Sequence, residues 1–245
     1  MNGQKYIGTV LSTIEKAWNT QQEQIGKAIE MLAEATKRKS NCYIFGCSHA
    51  GIIAEEGFYR SGGLVTLNPI FFPGFMLNTR PVTMTSQLER LPGLAKIIIN
   101  ENKLKKDDVL FIHSVSGRNT VPVEMAQIAH EMGIHTVAFT NVEYSSSVTS
   151  RAPSGKRLFE VCDVVIDNCG CVSDAAVTIE GLPERIGPTS TTVGAALINA
   201  IIIEAVEKLV KDGIVPPVFM SANIDGGTEH NAKILEEYGD NIFYM

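Results

Sequence analysis

The sequence predicts an α/β fold built on a parallel sheet, and three observations carry it. The apolar run VLFIH (109–113) breaks at a Ser-Val-Ser-Gly turn, a helical pattern VPVEMAQIAHEMG (121–133) follows, and a second apolar run, IHTVAFT (134–140), closes the unit. Strand, helix and strand in so few residues form a βαβ unit, whose right-handed crossover makes its strands parallel. The same order recurs earlier, where NCYIFGCSHAGIIAEEGFYRSGG reads as a strand over 41–45, a turn opening at Gly46 and a helix to about Arg60. Finally, 245 residues with 44% hydrophobic and 20% charged content can bury a full-sized core, which fits one domain over 1–245 better than two small ones.

Taken in order, Ile7, Val10, Leu11, Ile14, Trp18, Ile25, Ala28, Ile29 and Leu32 recur at three- and four-residue steps. Residues 5–37 therefore read as one long amphipathic helix or two abutting ones, an N-terminal helical segment over 1–37 that ends at Lys37, Arg38 and Lys39, where cations complement the helix dipole. LVTL (64–67) reads as the second strand. The aromatic stretch NPIFFPGFMLNTRPVT (68–83) is either the cover of a site or a subunit contact, with the contact favoured, because so much apolar surface is costly to leave in water. Residues 86–102 return to a helical pattern. In the helix after VLFIH, Pro122 falls in the first turn, where its missing N–H costs nothing, and Gly133 terminates it. The polar stretch 140–155 is a loop, KRLFEVC (156–162) is helical and DVVIDN (163–168) is a strand. STTVGAALINAIIIEAVEKLVKDG (190–213) is a long helix, apolar nearly all round in its first half, so it needs two covers: the sheet and, most simply, a second subunit. The tail over 213–245 reads as an extension packed on the domain.

Composition narrows the function. With 27 acidic and 21 basic residues the net charge is -6, which argues against non-specific nucleic-acid or membrane binding. No apolar run reaches the ~20 residues that span a bilayer, and the first residues lack the order of a signal peptide, so a cytoplasmic protein is expected. The five cysteines show no C-x-x-C spacing, and Cys169-Gly170-Cys171 reads as small loop residues with reduced thiols, not a redox or metal pair. Neither a metal nor an organic cofactor is expected. The P-loop pattern and G-x-G-x-x-G are both absent, since 46–51 reads GCSHAG, which speaks against ATP and NAD.

Ligands of open parallel sheets bind outside the carboxyl ends of the strands. Three loops have that position: Gly46 to Gly51, Ser114 to Thr120 and Gly187 to Thr192. In HSVSGRNT the hydroxyls of Ser114 and Ser116 donate to an anion, Gly117 lets the backbone approach, Arg118 lies in the turn itself, and the helix that follows offers unpaired N–H groups. Thr189, Ser190, Thr191 and Thr192 add hydroxyls at a second helix start. Such hydroxyls also serve as plain N-caps, but their recurrence before two helices points to a phosphate.

These motifs resemble the SIS (sugar isomerase) domain family of phosphosugar-binding proteins. The resemblance runs over about 5–212, through HSVSGRNT, the strand ending VAFTN and the TSTT that opens the last long helix. More narrowly, FYRSGG, SGRNTVPVEMA, PSGKRLFEV and GPTSTTVGAALINAI are similar to a bacterial subgroup of uncharacterised SIS proteins and phosphoheptose isomerases. The resemblance implies a flavodoxin-like, three-layer α/β/α sandwich with a five-stranded parallel sheet. It also implies a homo-oligomer, dimer or tetramer, with the sugar phosphate near the subunit interface. By motif position Ser114, Ser116 and Gly117 would hold the phosphate, helped by Ser190, Thr191 and Thr192. Two departures stand out: Asn119 ends the S-x-S-G-x-T pattern, with Thr120 just after it, and the first loop, usually G-x-G-x-S, has Ser48 at its second glycine and Ala50 at its serine. Ser48 or His49 is the nearest replacement.

Aldose–ketose conversion needs a base beside the carbonyl, an acid for ring opening, and donors for the enediolate. Glu56 and Glu55, early in the helix after the first loop, are the candidate bases, with Glu56 preferred; acidic residues there also complement the helix dipole. His49 in the loop and His230 in the tail are the candidate acids, while His113, His130 and His135 read as structural. The sequence thus points to a sugar-phosphate isomerase acting through an enediol. The alternatives are a non-catalytic phosphosugar sensor and a lyase or etherase on an amino-sugar phosphate.

Overall fold

The computed structural model describes residues 1–245. Its centre is a five-stranded, all-parallel sheet of order β2-β1-β3-β4-β5: β1 (Cys42–Gly46), β2 (Leu67–Pro69), β3 (Val109–His113), β4 (His135–Thr140) and β5 (Val164–Asp167). Register is fixed by pairs such as Cys42 with Val109, Val109 with His135 and Val137 with Val164. Both faces are covered, so the strands are apolar almost continuously instead of alternately.

The N-terminal pattern resolves into two abutting helices, α1 (Asn2–Thr20) and α2 (Gln22–Lys37), divided at Gln21. They share one face of the sheet with α3 (Ile52–Gly57) and the long α8 (Ser190–Lys211). Ile44, Phe111, Phe139 and Ile166 meet Ile25, Leu32, Leu197, Ile198 and Ile201 there, each contributing about 1.5–3 kcal/mol by burial. The other face carries α5 (Leu94–Glu101) and α6 (Thr120–Glu131), whose Ile98, Ile99, Val121, Met125 and Ala129 pack on Tyr43, Leu110, Ile112 and Ala138. These are the three layers.

Several local expectations need correction. The strand expected at 64–67 lies at 67–69, because Leu64 bridges Val218 and the Val65 N–H bonds to Pro217 in the tail, partners that local pattern cannot show. The helix expected over 86–102 is interrupted: α4 (Met84–Leu88) stops, Gly93 takes φ 82° with its N–H on Glu124, and α5 begins. KRLFEVC keeps a single tight turn at Leu158–Glu160, since the Leu158 N–H is taken by Gly117 O. Unforeseen elements are the short α7 (Val142–Ser146), a hairpin of β6 (Ala175–Val177) and β7 (Ile186–Pro188), and α9 (Gly227–Glu237) in the tail. The second cover of α8 is largely the chain's own α1 and α2, which pack along it; Ile203 stays 66% exposed. The aromatic stretch turns inward as well, with Phe71 edge-on to Phe58 at 5.1 Å and Phe75 edge-on to Phe45 at 6.1 Å. The tail is sewn to the β2 edge by Asn241 on Lys39 O and Asn41, Phe243 N on Asn68, and a Tyr43–Phe243 stack at 5.9 Å.

Candidate functional site

The first loop folds back tightly over the end of β1. A Cβ on Gly46 would stand 2.4 Å from the Ala50 carbonyl oxygen, so only glycine permits the turn, and Ser48 sits at φ 57°. His113, the last residue of β3, donates from Nδ1 to that same Ala50 carbonyl at 2.9 Å. Its Nε2 then carries a lone pair, yet this buried atom has no partner, and the ring is 1% exposed. Gly194 in the first turns of α8 lies against it, where a Cβ would come 3.6 Å from Nε2. Burial lowers the imidazole pKa against the opposing pull of the Ala50 carbonyl and Asp174, so the ring is neutral at pH 7.

The 114–120 turn is pinned to β4 from below. Ser114 N–H donates to Phe139 O, Val115 O accepts from the Asn141 N–H and the Thr140 hydroxyl, and Gly117 O accepts from the Leu158 N–H. Gly117 has φ 56°, and a Cβ there would meet Ser145 Oγ at 2.9 Å. Apart from the Ser114 N–H, these anchors use the turn's carbonyls and leave its donors free: the N–H groups of Val115, Ser116, Gly117, Arg118 and Asn119 form no hydrogen bond within the chain. Successive free amides with small hydroxyl side chains beside them make an anion nest.

Two arginines stand at this nest. Arg118 is oriented by Thr149, through Nε to its carbonyl at 2.9 Å and Nη2 to its hydroxyl at 3.1 Å. Arg151 donates from Nη1 to Asn119 Oδ1 at 2.8 Å, and its N–H reaches Arg118 O at 2.7 Å. Neutral oxygens hold both, and neither takes part in an ion pair. Partial burial, and then the charges of Arg118 and Arg90, pull the Arg151 pKa down. Guanidinium groups that form no ion pair favour an anion beside them, although Glu89 opposes part of this by pulling the Arg151 pKa back up. Glu89 lies close by, and its burial raises the carboxyl pKa against the Asn119 side chain, Arg90 and Arg151. Thr120 is engaged, donating from its hydroxyl to Arg151 O at 3.0 Å.

The start of α8 lies on the same edge: beside Gly170 a Cβ would fall 3.3 Å from Thr189 Oγ1 and 3.4 Å from Asn141 Nδ2, and Asn141 N–H in turn holds Val115 O. Here Asp174 accepts from the N–H groups of Thr189 and Ser190 and from both of their hydroxyls. Thr191 is half-buried and Thr192 exposed.

Among the candidate acids and bases, exposed Glu55 lines a small recess with Gly46, Ser48, Gly51, Phe71, Phe72 and Met76. Glu56 is tied to Arg60 and accepts from Asn199 Nδ2 at 2.9 Å. His49 is exposed in the first loop. His230 lies apart: its Nε2 is 3.1 Å from Val218 O, in the tail segment that pairs with Leu64 ahead of β2, beyond the opposite end of the strands. Sequence reasoning missed Arg151, Glu89 and Asp174, each carried to this edge by a segment that read as plain loop or helix. His113, expected to be structural, is buried at the strand end and bonded to Ala50 O. The Cys169 and Cys171 thiols engage oxygen atoms of Asp167 and Ala175, and all five cysteines are free.

Fold and motif together define the class: residues 5–141 match the model of the SIS domain, and the chain belongs to that family. Within it, the chain is 46% identical over 242 residues to the UPF0309 protein of Shouchella clausii, covering 99% of this chain and 98% of that one. Among solved structures, a phosphoheptose isomerase from Francisella tularensis superposes with a TM-score of 0.53 at 13% identity, covering 82% of this chain and 95% of its own. The Vibrio vulnificus NanR protein complexed with ManNAc-6P gives a TM-score of 0.52 at 14% identity, with coverage of 96% and 68%. Likeness at these identities is likeness of fold. No helix is long and apolar enough to cross a membrane.

Proposed function

We propose that the protein binds a sugar phosphate and interconverts its aldose and ketose forms through an enediol. The observation that carries the binding half is the row of free N–H groups at 115–119 beside Arg118 and Arg151, which form no ion pair. Donors fixed in place by bonds to the turn's own carbonyls need no reorganisation to meet a phosphate dianion. The fold relatives support the ligand class, since one is a phosphoheptose isomerase and another was solved with ManNAc-6P.

The catalytic half rests on the recess under the first loop. In this reading Ser114, Ser116 and the turn amides hold the phosphate, Glu55 takes the proton beside the carbonyl, and His49 or Ser48 assists ring opening. Glu55 replaces Glu56 as the preferred base because Glu56 is occupied by Arg60 and Asn199. The working unit is a homo-oligomer, since α1 leaves Ile7 and Leu11 and α8 leaves Ile203 and Val210 in solvent. Thermal shift over a panel of C5 to C7 sugar phosphates identifies the ligand, and NMR in D2O then follows deuterium entering C1 or C2. Exchange supports the isomerase; tight binding without exchange means a sensor.

A further inference from the structure

The hairpin of β6 and β7 lies on α1, where Tyr6 donates its hydroxyl to Pro188 O at 2.7 Å, and Asp174 at its foot takes φ 67°. That conformation aims the carboxylate at the start of α8. Oδ1 accepts the N–H groups of Thr189 at 3.1 Å and Ser190 at 2.9 Å and the Thr189 hydroxyl at 3.3 Å; Oδ2 accepts the Ser190 hydroxyl at 2.6 Å. A helix of 22 residues concentrates partial positive charge at its first amides, and an anion there is stabilised. The chain has filled that place with an anion of its own.

Beside it stands the unpartnered Nε2 of His113, buried against Gly194 on the same helix. The neutral ring supplies no charge to offset a second anion. The two ends of the candidate site therefore differ: free amides with unpaired arginines at 114–119, and a seated carboxylate at α8.

We propose that Asp174 sets the polarity of the ligand, so that the phosphate is confined to the 114–119 turn and the end meeting α8 is uncharged or cationic, bearing hydroxyl or amino groups that donate to Asp174. Bisphosphates and phosphorylated sugar acids are excluded by repulsion at that end. The assignment of ends rests on the phosphosugar reading. Exclusion of an anion from α8 by Asp174 does not.

Inorganic phosphate separates the two, titrated by calorimetry and 31P NMR into the wild type, Ser116→Ala, Asp174→Ala and the double variant. One phosphate per wild-type chain is expected, weakened at least tenfold by Ser116→Ala; Asp174→Ala takes a second, which the double variant keeps. Asp174→Gly also vacates the α8 amides and adopts φ 67° freely, so it reports the same gain if Asp174→Ala folds poorly. The inference is overturned if neither Asp174 variant binds more phosphate than wild type, or if wild type already binds two. No phosphate on the wild type with one gained on Asp174→Ala would sink the turn as a phosphate site and leave Asp174's role standing.

Discussion

Gly117→Ala tests the central turn most directly. An L-residue at φ 56° costs about 1–2 kcal/mol in the left-handed region. The new methyl would meet Ser145 Oγ at 2.9 Å, Thr140 Oγ1 at 3.2 Å and Leu158 Cβ at 3.3 Å. Overpacking of this kind costs about 1–3 kcal/mol. Together they come to about 2–5 kcal/mol, and at roughly 2–4 °C per kcal/mol for a chain of this size the midpoint should fall by on the order of 10 °C. Because Ser145 Oγ is buried without a partner, Ser145→Ala should be close to neutral or slightly stabilising. It also removes the nearest obstacle. Circular dichroism melts of the two single variants and the double should therefore show coupling above about 0.5 kcal/mol, with the double recovering the steric share and keeping the dihedral strain. Strict additivity would refute the packing described beneath the turn.

Three further outcomes follow from the same geometry. Arg151→Ala should weaken sugar-phosphate affinity several-fold or more and flatten its salt dependence, measured by calorimetry at two ionic strengths, because its guanidinium is held by Asn119 and forms no ion pair. Glu55→Gln should abolish deuterium exchange into the substrate while leaving affinity near wild type, whereas Glu56→Gln, which loses the Arg60 ion pair and keeps an acceptor for Asn199, should leave exchange in place and lower the melting temperature slightly. Burial raises the Glu89 carboxyl pKa, so the folded state holds that proton to higher pH than the unfolded state, and this group's contribution to stability declines as pH rises from the ordinary carboxylate range through the folded value. In pH-resolved melts Glu89→Gln should track the wild type in acid and exceed it near neutrality; a constant offset at all pH values would contradict this.

Particular elements show which parts of the molecule were legible beforehand. The βαβ unit over 109–140 was readable because strand, cap and helix are encoded by adjacent residues, and β3 has the expected bounds, Val109–His113. Strand β2 was misplaced because the tail, some way along the chain, pairs with Leu64 and Val65. The β6–β7 hairpin was invisible because only two residue pairs define it, Ala175 with Pro188 and Val177 with Ile186, too few for any alternation to show. The site divides in the same way. The hydroxyl-rich turn announced itself in Ser114, Ser116 and Gly117, whereas Arg151 reaches it through a bond to Asn119 across 32 positions and Asp174 reaches Ser190 across 16. Contacts of that kind have no local signature.

The layer that hides α8 has an implication for synthesis. The helices that shield it leave the ribosome well before α8, which is joined to them across the chain by an ion pair between Lys37 and Asp212. Until α8 emerges, the sides of α2, α3 and the sheet that face it stay uncovered. The nascent polypeptide must carry that greasy surface through most of its translation, so the first half cannot serve as an autonomous folding unit, and a stop anywhere before Ser190 should yield insoluble product instead of a smaller working protein.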